Sequence, residues 1–381
     1  MRIALFTETF LPKVDGVVAI TLQMLNRMRH HGHEVIVFAP PTAPTHYEDI
    51  RVYPSWGPRF PLYRELYCSM PTYMGVQGIR DFRPDLIHVM NPTFIGAVGT
   101  MMAQIGRVPL VASTHMDIDY YVTQYAGAWG INTAWRYFRI WHNRAQLNLA
   151  PSQSTLEQLQ RNGIQRTAHW SRGIDLTRFR RTTRNEALRM QLSGGHPDDL
   201  LILYVGRLSK EKNIDALKPL TQLPGVRVAL VGGGPQTARA RQHFAGTNAY
   251  FAGVLQGEAL IDAYNAADLF VFPSQSETFG LAPLEAMACG IPVVAPFVGG
   301  LRDTMRDGSN GIVYDHHNPD SLIAAVQLLQ HNETLRHTLA HQAWAYAQHK
   351  SWQGSMDQLI DYYQQVYQTH QLKQFRTKTE E

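Results

Sequence analysis

Hydrophobic residues in this chain fall into short, almost unbroken runs rather than alternating with polar ones. In the first half the runs cover residues 2–6, 34–39, 85–89, 109–113 and 147–150; in the second they cover 200–206, 226–231, 249–252, 268–273 and 291–295. Each is followed by a stretch with helical spacing. A strand buried on both faces must be apolar throughout, and such strands separated by helices predict parallel sheets covered on both sides. The expected fold is therefore α/β, with two Rossmann-like, doubly wound domains facing each other across a cleft. The polar segment 180–200, with Gly194, Gly195 and Pro197 near its end, predicts the linker. The expected domains are residues 1–185 and 186–352, then a helix over 353–371 crossing back to the first domain and a polar tail over 372–381. No fixed-period repeat of the solenoid kind interrupts this order.

A length of 381 residues suits two domains, and 44% hydrophobic with 17% charged residues is ordinary for a globular chain. No uninterrupted apolar run is long enough for a membrane span, and Glu8 and Lys13 stand where a secretory leader needs its apolar core. A cytoplasmic protein is expected. Cys68 and Cys289 are too far apart in sequence for a CxxC motif or a disulfide framework. The net charge of +4 conceals an asymmetry: residues 1–186 carry 20 Lys and Arg against 13 Asp and Glu, the remainder 15 against 18. Part of the basic excess stands among aromatics, in Arg59, Phe60, Tyr63, Arg64 and Tyr67. That composition is either a solvated surface or a face that meets anionic lipid headgroups. With no zinc finger, RNP-type motif or dense Lys/Arg block, no nucleic-acid partner is expected.

Ligands of doubly wound sheets bind beyond the carboxyl ends of the strands, so the loops there carry the chemistry. The first strand is followed by Gly16 and a helix over 17–31, whose N-terminus would offer free amides to an anion. No GxGxxG follows this strand and the chain has no Gly-Lys pair, which argues against a dinucleotide fold and excludes a Walker A loop. After the strand 109–113 comes His115, which is expected to face the cleft. Asp117 and Asp119 have a spacing that could hold a divalent ion, but no metal or other cofactor is expected, because cations elsewhere can neutralise a diphosphate. These are Arg207, after Gly206 at the end of the strand 200–206, and Lys212 at the start of the next helix. A guanidinium fork and an ammonium together stabilise charge on a departing diphosphate. Gly232 opens a glycine run after the next strand. Glu277 and Glu285 flank Gly280, Leu281 and Ala282; the amides of these three would meet a phosphate, while a carboxylate suits paired ribose hydroxyls.

These residues resemble the retaining, GT-B type glycosyltransferases of family 4, over nearly the whole chain. The E-x7-E motif falls on Glu277 to Glu285, the Gly-Arg and downstream Lys on Gly206, Arg207 and Lys212, the catalytic histidine on His115, and the glycine loop on Asp15 and Gly16. The segments 8–16, 60–63, 142–143 and 172–175 look like sulfoquinovosyl-diacylglycerol synthases, and related lipid mannosyltransferases share much of this pattern. The resemblance implies retaining transfer of a hexose from a nucleoside diphosphate sugar to a lipid hydroxyl, on the cytoplasmic face of a membrane to which the protein attaches peripherally. His115, Arg207, Lys212 and Glu277 would be catalytic, with Glu277 on the sugar hydroxyls. Gly16, Arg172, Gly173, Gly206, Gly232, Gly280, Leu281, Ala282 and Glu285 would hold the donor, Glu285 at the ribose. Arg59, Phe60, Tyr63, Arg64 and Tyr67 would meet the acceptor and the anionic surface. The first expectation is sulfoquinovose moved from UDP-sulfoquinovose to diacylglycerol, with Arg172 or Lys13 facing the sulfonate. GDP-mannose or UDP-glucose is the alternative donor; Asp117 stands where the mannosyl enzymes often have aspartate. From another class, a nucleotide-sugar epimerase or a non-catalytic sugar-nucleotide binder is the alternative.

Overall fold

A computed structural model describes residues 1–13, 15–61 and 65–380. The chain forms two compact units, one of residues 1–171 with 353 onward, the other Arg172–Trp352. In the first unit the strands are β1 (Arg2–Thr7), β2 (Glu34–Ala39), β3 (His46–Tyr47), β4 (Ile50–Pro54), β5 (Leu86–Met90), β6 (Leu110–Ser113), β7 (Leu147–Ala150) and β8 (Thr167–His169). They make an eight-stranded sheet in the order β3-β4-β2-β1-β5-β6-β7-β8. Of the described strand pairs in this sheet, β3–β4 at the edge is antiparallel and the rest are parallel. The second unit contains β9 (Leu200–Val205), β10 (Val226–Val231), β11 (Ala249–Gly253), β12 (Leu269–Val271), β13 (Val293–Pro296) and β14 (Gly311–Tyr314). These run in the order β11-β10-β9-β12-β13-β14.

Both sheets are doubly wound, and each has a point where the strand order turns back: between β1 and β5, and between β9 and β12. Ligand loops of such sheets lie beyond the carboxyl ends of strands near that point. The loops after β1, β6, β9 and β12, singled out above, are at or beside it. The core of each unit follows from the apolar runs. Every residue of β9 is buried, as are Ile3, Leu5, Phe6, Val37, Phe38 and Leu86 in the first sheet.

The boundary between units precedes the expected one. Ile174 and Phe179 lie in the core of the second unit, and Ile174 donates its amide to the Lys350 carbonyl at 2.7 Å while its own carbonyl accepts from Trp352 at 2.9 Å. The segment 180–200 is also no simple linker, since it contains the helix Glu186–Leu192.

The helix Trp352–Glu380 belongs to the first unit from Gln353 onward. Met356, Leu359, Ile360, Tyr363 and Val366 recur at helical spacing and are buried, each contributing roughly 1.5–3 kcal/mol by removal of apolar surface from water. Arg27 grips Asp357 with two hydrogen bonds, of 2.7 and 2.8 Å. The backbone remains helical through Glu380, where a polar tail was expected; no glycine or proline is present there to end it. No helix among the described residues is long and apolar enough to cross a membrane.

Candidate functional site

In the second unit the loops after β9 and β10 are packed backbone to backbone. The Gly206 amide donates to Val231 at 3.0 Å and the Leu208 amide to Gly233 at 3.0 Å. A Cβ on Gly232 would lie 1.9 Å from the Gly206 carbonyl oxygen, so Gly232 is required by the approach of these loops, whereas a Cβ on Gly206 would lie 2.7 Å from the Tyr204 hydroxyl. Arg207 follows directly, and its carbonyl accepts from the buried Tyr204 hydroxyl at 2.9 Å. Lys212 ends a single 3-10 turn, Lys210–Lys212, rather than opening an α-helix. Its ammonium pairs with the Glu277 carboxylate and sits 5.5 Å from the centre of the Phe272 ring. Two residues the sequence reading placed in one site are thus in contact.

Glu277 lies in the loop after β12, and its carbonyl accepts from the Gly300 amide at 2.7 Å. Gly280, at φ +89°, takes the N-cap position of the helix Leu281–Ala288 without a side-chain cap. The first-turn amides, those of Leu281 and Ala282 among them, have no intrahelical acceptor and form a positive helix end. Glu285 lies one turn further along. Its Oε2 accepts from the Tyr264 hydroxyl at 2.7 Å. Burial pushes the Glu285 carboxyl above its ordinary range, against the opposing effects of Tyr264 and Arg178. One carboxylate is therefore matched to an ammonium and the other to a neutral phenol.

Gly173 is closely packed against its own unit. A Cβ there would lie 2.2 Å from the Ser351 carbonyl oxygen, so its bareness serves packing within the second unit. Arg172 is buried, 2% exposed, and burial lowers its guanidinium to about 9.

In the first unit Gly16 is the first residue of the helix Gly16–His30, not the residue before it. Asp15 is the N-cap: its Oδ1 accepts from the Val18 amide at 2.9 Å, while Oδ2 pairs with Lys13 at 2.9 Å. Lys13 also meets Glu65 at 3.2 Å. The chain's own carboxylate thus holds the helix end that was expected to take an external anion.

His115 follows β6. Its backbone amide donates to Asn91 Oδ1 at 2.7 Å, and its Nε2 lies 2.6 Å from Ser113 Oγ. The ring is 6.3 Å from that of Trp170, edge to face, and the residue is 7% exposed. Asp117 caps the helix Ile118–Ala126, accepting from the Tyr120 amide at 3.1 Å. Asp119 accepts from Trp135 Nε1 at 2.6 Å and Gln158 at 2.8 Å. Both carboxylates are taken by protein donors.

Arg59 and Tyr67 face each other as a β-bridge, with the guanidinium 5.6 Å from the phenol ring centre. Phe60 packs on Phe94 at 5.3 Å between ring centres, so it is part of the local packing. Tyr63 and Arg64 lie outside the described residues. Next to this hairpin are four exposed apolar side chains that sequence reasoning did not single out: Trp56, Met70, Tyr73 and Met74.

Other polar groups were also missed. Glu8 is buried at the start of the loop after β1, and its Oε1 accepts from the amides of Thr93, Phe94 and Gly96 at 3.2, 2.7 and 3.1 Å. Burial pushes its carboxyl up to about 7 in spite of these bonds. His88 sits in the otherwise apolar β5, and a histidine inside a doubly buried strand was the available signal for a partnered polar group.

Comparison with known proteins accords with this layout. Residues 14–178 match the family described as Glycosyltransferase Family 4, and residues 191–345 match Glycosyl transferases group 1. A GDP-mannose-dependent alpha-mannosyltransferase of Mycobacterium tuberculosis is 35% identical over 378 residues, covering 96% of this chain and 97% of that protein. The sulfoquinovosyl transferase SQD2 of Arabidopsis thaliana is 31% identical over 364 residues, covering 93% of this chain and 71% of its own. Among solved structures, the sucrose-phosphate synthase of Thermosynechococcus elongatus superposes with a TM-score of 0.79 at 22% identity, covering 97% of this chain and 99% of that one.

Proposed function

Because the chain belongs to glycosyltransferase family 4 and has its GT-B fold, we infer that it moves mannose from GDP-mannose to a lipid hydroxyl, with retention, at a membrane surface. Transfer from a nucleotide sugar follows from membership of the family; the sugar, the acceptor and the surface are inferred from the site and its relatives. Membership also sets aside the epimerase and non-catalytic readings.

The Lys212–Glu277 pair beside the second sheet's switch point carries the reading. As the glycosidic bond breaks, negative charge grows on the departing diphosphate, and Arg207 and Lys212 supply cations for it without a metal. Glu277 holds the ammonium and keeps its second oxygen for sugar hydroxyls. The helix end at Gly280, Leu281 and Ala282 adds positive charge, and Glu285 accepts from the ribose. The leaving phosphate oxygen takes the acceptor's proton during same-face attack. His115 in this reading hydrogen-bonds the transferred sugar.

The donor preference rests on two observations. Relatives named as GDP-mannose-dependent align over 96% of this chain. Of the cations assigned to a sulfonate, Lys13 is paired with Asp15 and Glu65, and Arg172 is 2% exposed. Sulfoquinovose is the second reading, supported by the Arabidopsis relative. The lipid surface is supported by Trp56 and Tyr73, 75% and 78% exposed, with Met70, Met74 and the exposed Arg59 alongside. Aromatic and apolar side chains enter the headgroup layer while arginine pairs with anionic lipid. Diacylglycerol is the acceptor proposed.

The test is incubation with anionic liposomes containing diacylglycerol and GDP-mannose, UDP-sulfoquinovose or UDP-glucose in turn. Mass identifies the glycolipid, and the one-bond carbon–proton coupling at the anomeric carbon gives its configuration. An α-mannolipid is expected, formed equally well with a chelator present. Product from UDP-sulfoquinovose alone would refute the mannosyl assignment, and strict dependence on an added divalent ion would refute the metal-free site.

A further inference from the structure

Four side chains of the first unit form one buried hydrogen-bonded series. Tyr363 OH lies 2.5 Å from His88 Nδ1, His88 Nε2 lies 2.8 Å from Ser113 Oγ, and Ser113 Oγ lies 2.6 Å from His115 Nε2. Tyr363, His88 and Ser113 are fully buried. β5 and β6 are parallel neighbours in which Met90 faces Ser113, and this register brings the histidine of one strand to the serine of the other. Tyr363 comes from the helix Trp352–Glu380, 275 residues away in sequence. The same helix steadies the rings: Trp170 donates its Nε1–H to the Ser355 carbonyl at 2.8 Å, and its ring stands edge to face against both imidazoles, 6.4 Å from His88 and 6.3 Å from His115.

We propose that Tyr363, His88 and Ser113 are positioning residues that hold His115 in a single tautomer, with its proton on Nδ1. The direction of the series follows from counting protons. Among the described residues, His88 is the partner of the Tyr363 hydroxyl. Burial pushes the phenol well above its ordinary range, so the hydroxyl keeps its proton and donates it to His88 Nδ1. A neutral imidazole has one N–H, so that of His88 is on Nε2 and is donated to Ser113 Oγ. The Ser113 proton then has His115 Nε2 as its acceptor, which leaves the His115 proton on Nδ1. The opposite direction would place a second proton between Tyr363 and His88 Nδ1 and leave one buried donor without an acceptor. No proton is transferred; the series orders the hydrogen bonds. Its consequence is that His115 presents an N–H from Nδ1 rather than a lone pair, as a hydrogen bond to a sugar oxygen demands. The C-terminal helix thus acts on the chemistry through a hydroxyl remote from it.

The functional half of this inference rests on the reading of His115 given above; the tautomer does not. With histidine labelled in 15N, long-range proton–nitrogen correlations report which ring nitrogen bears hydrogen, and His115→Gln assigns the signal. Wild type is expected to show Nδ1–H at His115. Ser113→Ala removes the donor to Nε2, and Tyr363→Phe removes one oxygen at the far end; both are expected to populate the Nε2–H form. Both should lower kcat roughly 10- to 100-fold, as loss of groups that orient a functional histidine does, with donor KM changed less than about twofold. An Nε2–H wild type would overturn the proposal without any variant being made. Unaltered kcat in both variants would overturn the positioning role. Full turnover in His115→Ala would instead refute the catalytic reading of His115 and leave the tautomer result standing, so the two failures are separable.

Discussion

The Tyr264 hydroxyl donates to Oε2 of Glu285 at 2.7 Å, so the carboxylate read here as the ribose ligand is held from behind by a neutral donor. Burial raises the Glu285 pKa and this bond lowers it in part. Donor binding that needs the ionised carboxylate should therefore weaken as pH falls through the raised pKa. Tyr264→Phe removes the lowering effect, and the loss should begin at a higher pH. Nucleotide Kd against pH, by calorimetry, should show the midpoint displaced upward in the variant. Coincident midpoints would mean that Glu285 does not bind as a carboxylate.

Lys212 and Glu277 should depend on each other. Lys212→Ala removes leaving-group stabilisation, and roughly 10²- to 10³-fold in kcat is expected, as for a preorganised electrostatic donor. It also leaves a largely buried carboxylate without its counter-charge, a condition that lowers stability on its own account. Adding Glu277→Gln to Lys212→Ala should recover melting temperature but not kcat. Recovery of both would show that the lysine acts only as the glutamate's partner, and Arg207 would be left as the cation of the diphosphate.

Glu8 gives a prediction in stability alone. Its pKa is about 7 in the folded protein against an ordinary value of 4.5, because burial outweighs three amide donors. With the folded pKa raised, the native state binds more protons between these values, and its stability falls as pH rises from 4.5 towards 7. The full difference is on the order of 3 kcal/mol. Glu8→Gln can accept the same amides and carries no charge to desolvate. Urea midpoints should be similar for the two proteins in acid and should separate in favour of the variant above neutrality. A constant difference across pH would place the proton elsewhere.

The parts legible in the sequence and the parts that were not divide along a physical line. A parallel strand buried on both faces has to be apolar at most of its positions, and β2, β7 and β10 could be placed to the residue for that reason although they contain Glu34, Asn148 and Arg227. β3, β8 and β14 are short edge strands, and His46, Thr167 and Gly311 give no such run. The segment 180–200 read as a linker because composition cannot reveal that an arginine is buried and paired. Arg189 bonds to the carbonyls of Pro197 and Ala266 and to Asp268, at 2.8, 2.6 and 2.7 Å. In the site, Glu277, Gly280 and Glu285 were visible because their spacing is local. Tyr264 and Tyr363 became functional candidates only through partners supplied by topology, and spacing carries no trace of those; His88 left one signal, a histidine inside an apolar strand.

The remaining prediction concerns the membrane surface proposed above. Trp56 and Met70 are bridge partners in the hairpin that also pairs Arg59 with Tyr67, and Tyr73 and Met74 begin the helix Tyr73–Phe82 just after it. Apolar and cationic groups therefore share one short stretch of the first unit, and they should contribute differently. Replacing Arg59 by Ala removes one charge near the surface, and affinity for anionic vesicles should drop roughly fivefold while that for neutral ones stays unchanged. Replacing Trp56, Tyr73 and Met74 together by Ser removes apolar area and should weaken binding to both kinds of vesicle. Neither set should alter transfer to a short-chain, water-soluble acceptor, because no residue of the diphosphate site is touched. Cosedimentation with vesicles at two salt concentrations separates the effects, since the arginine's share should fade with salt and the apolar share persist. Equal binding of wild type and both variants would remove this hairpin from the membrane contact and return Arg59 to the solvated-surface reading.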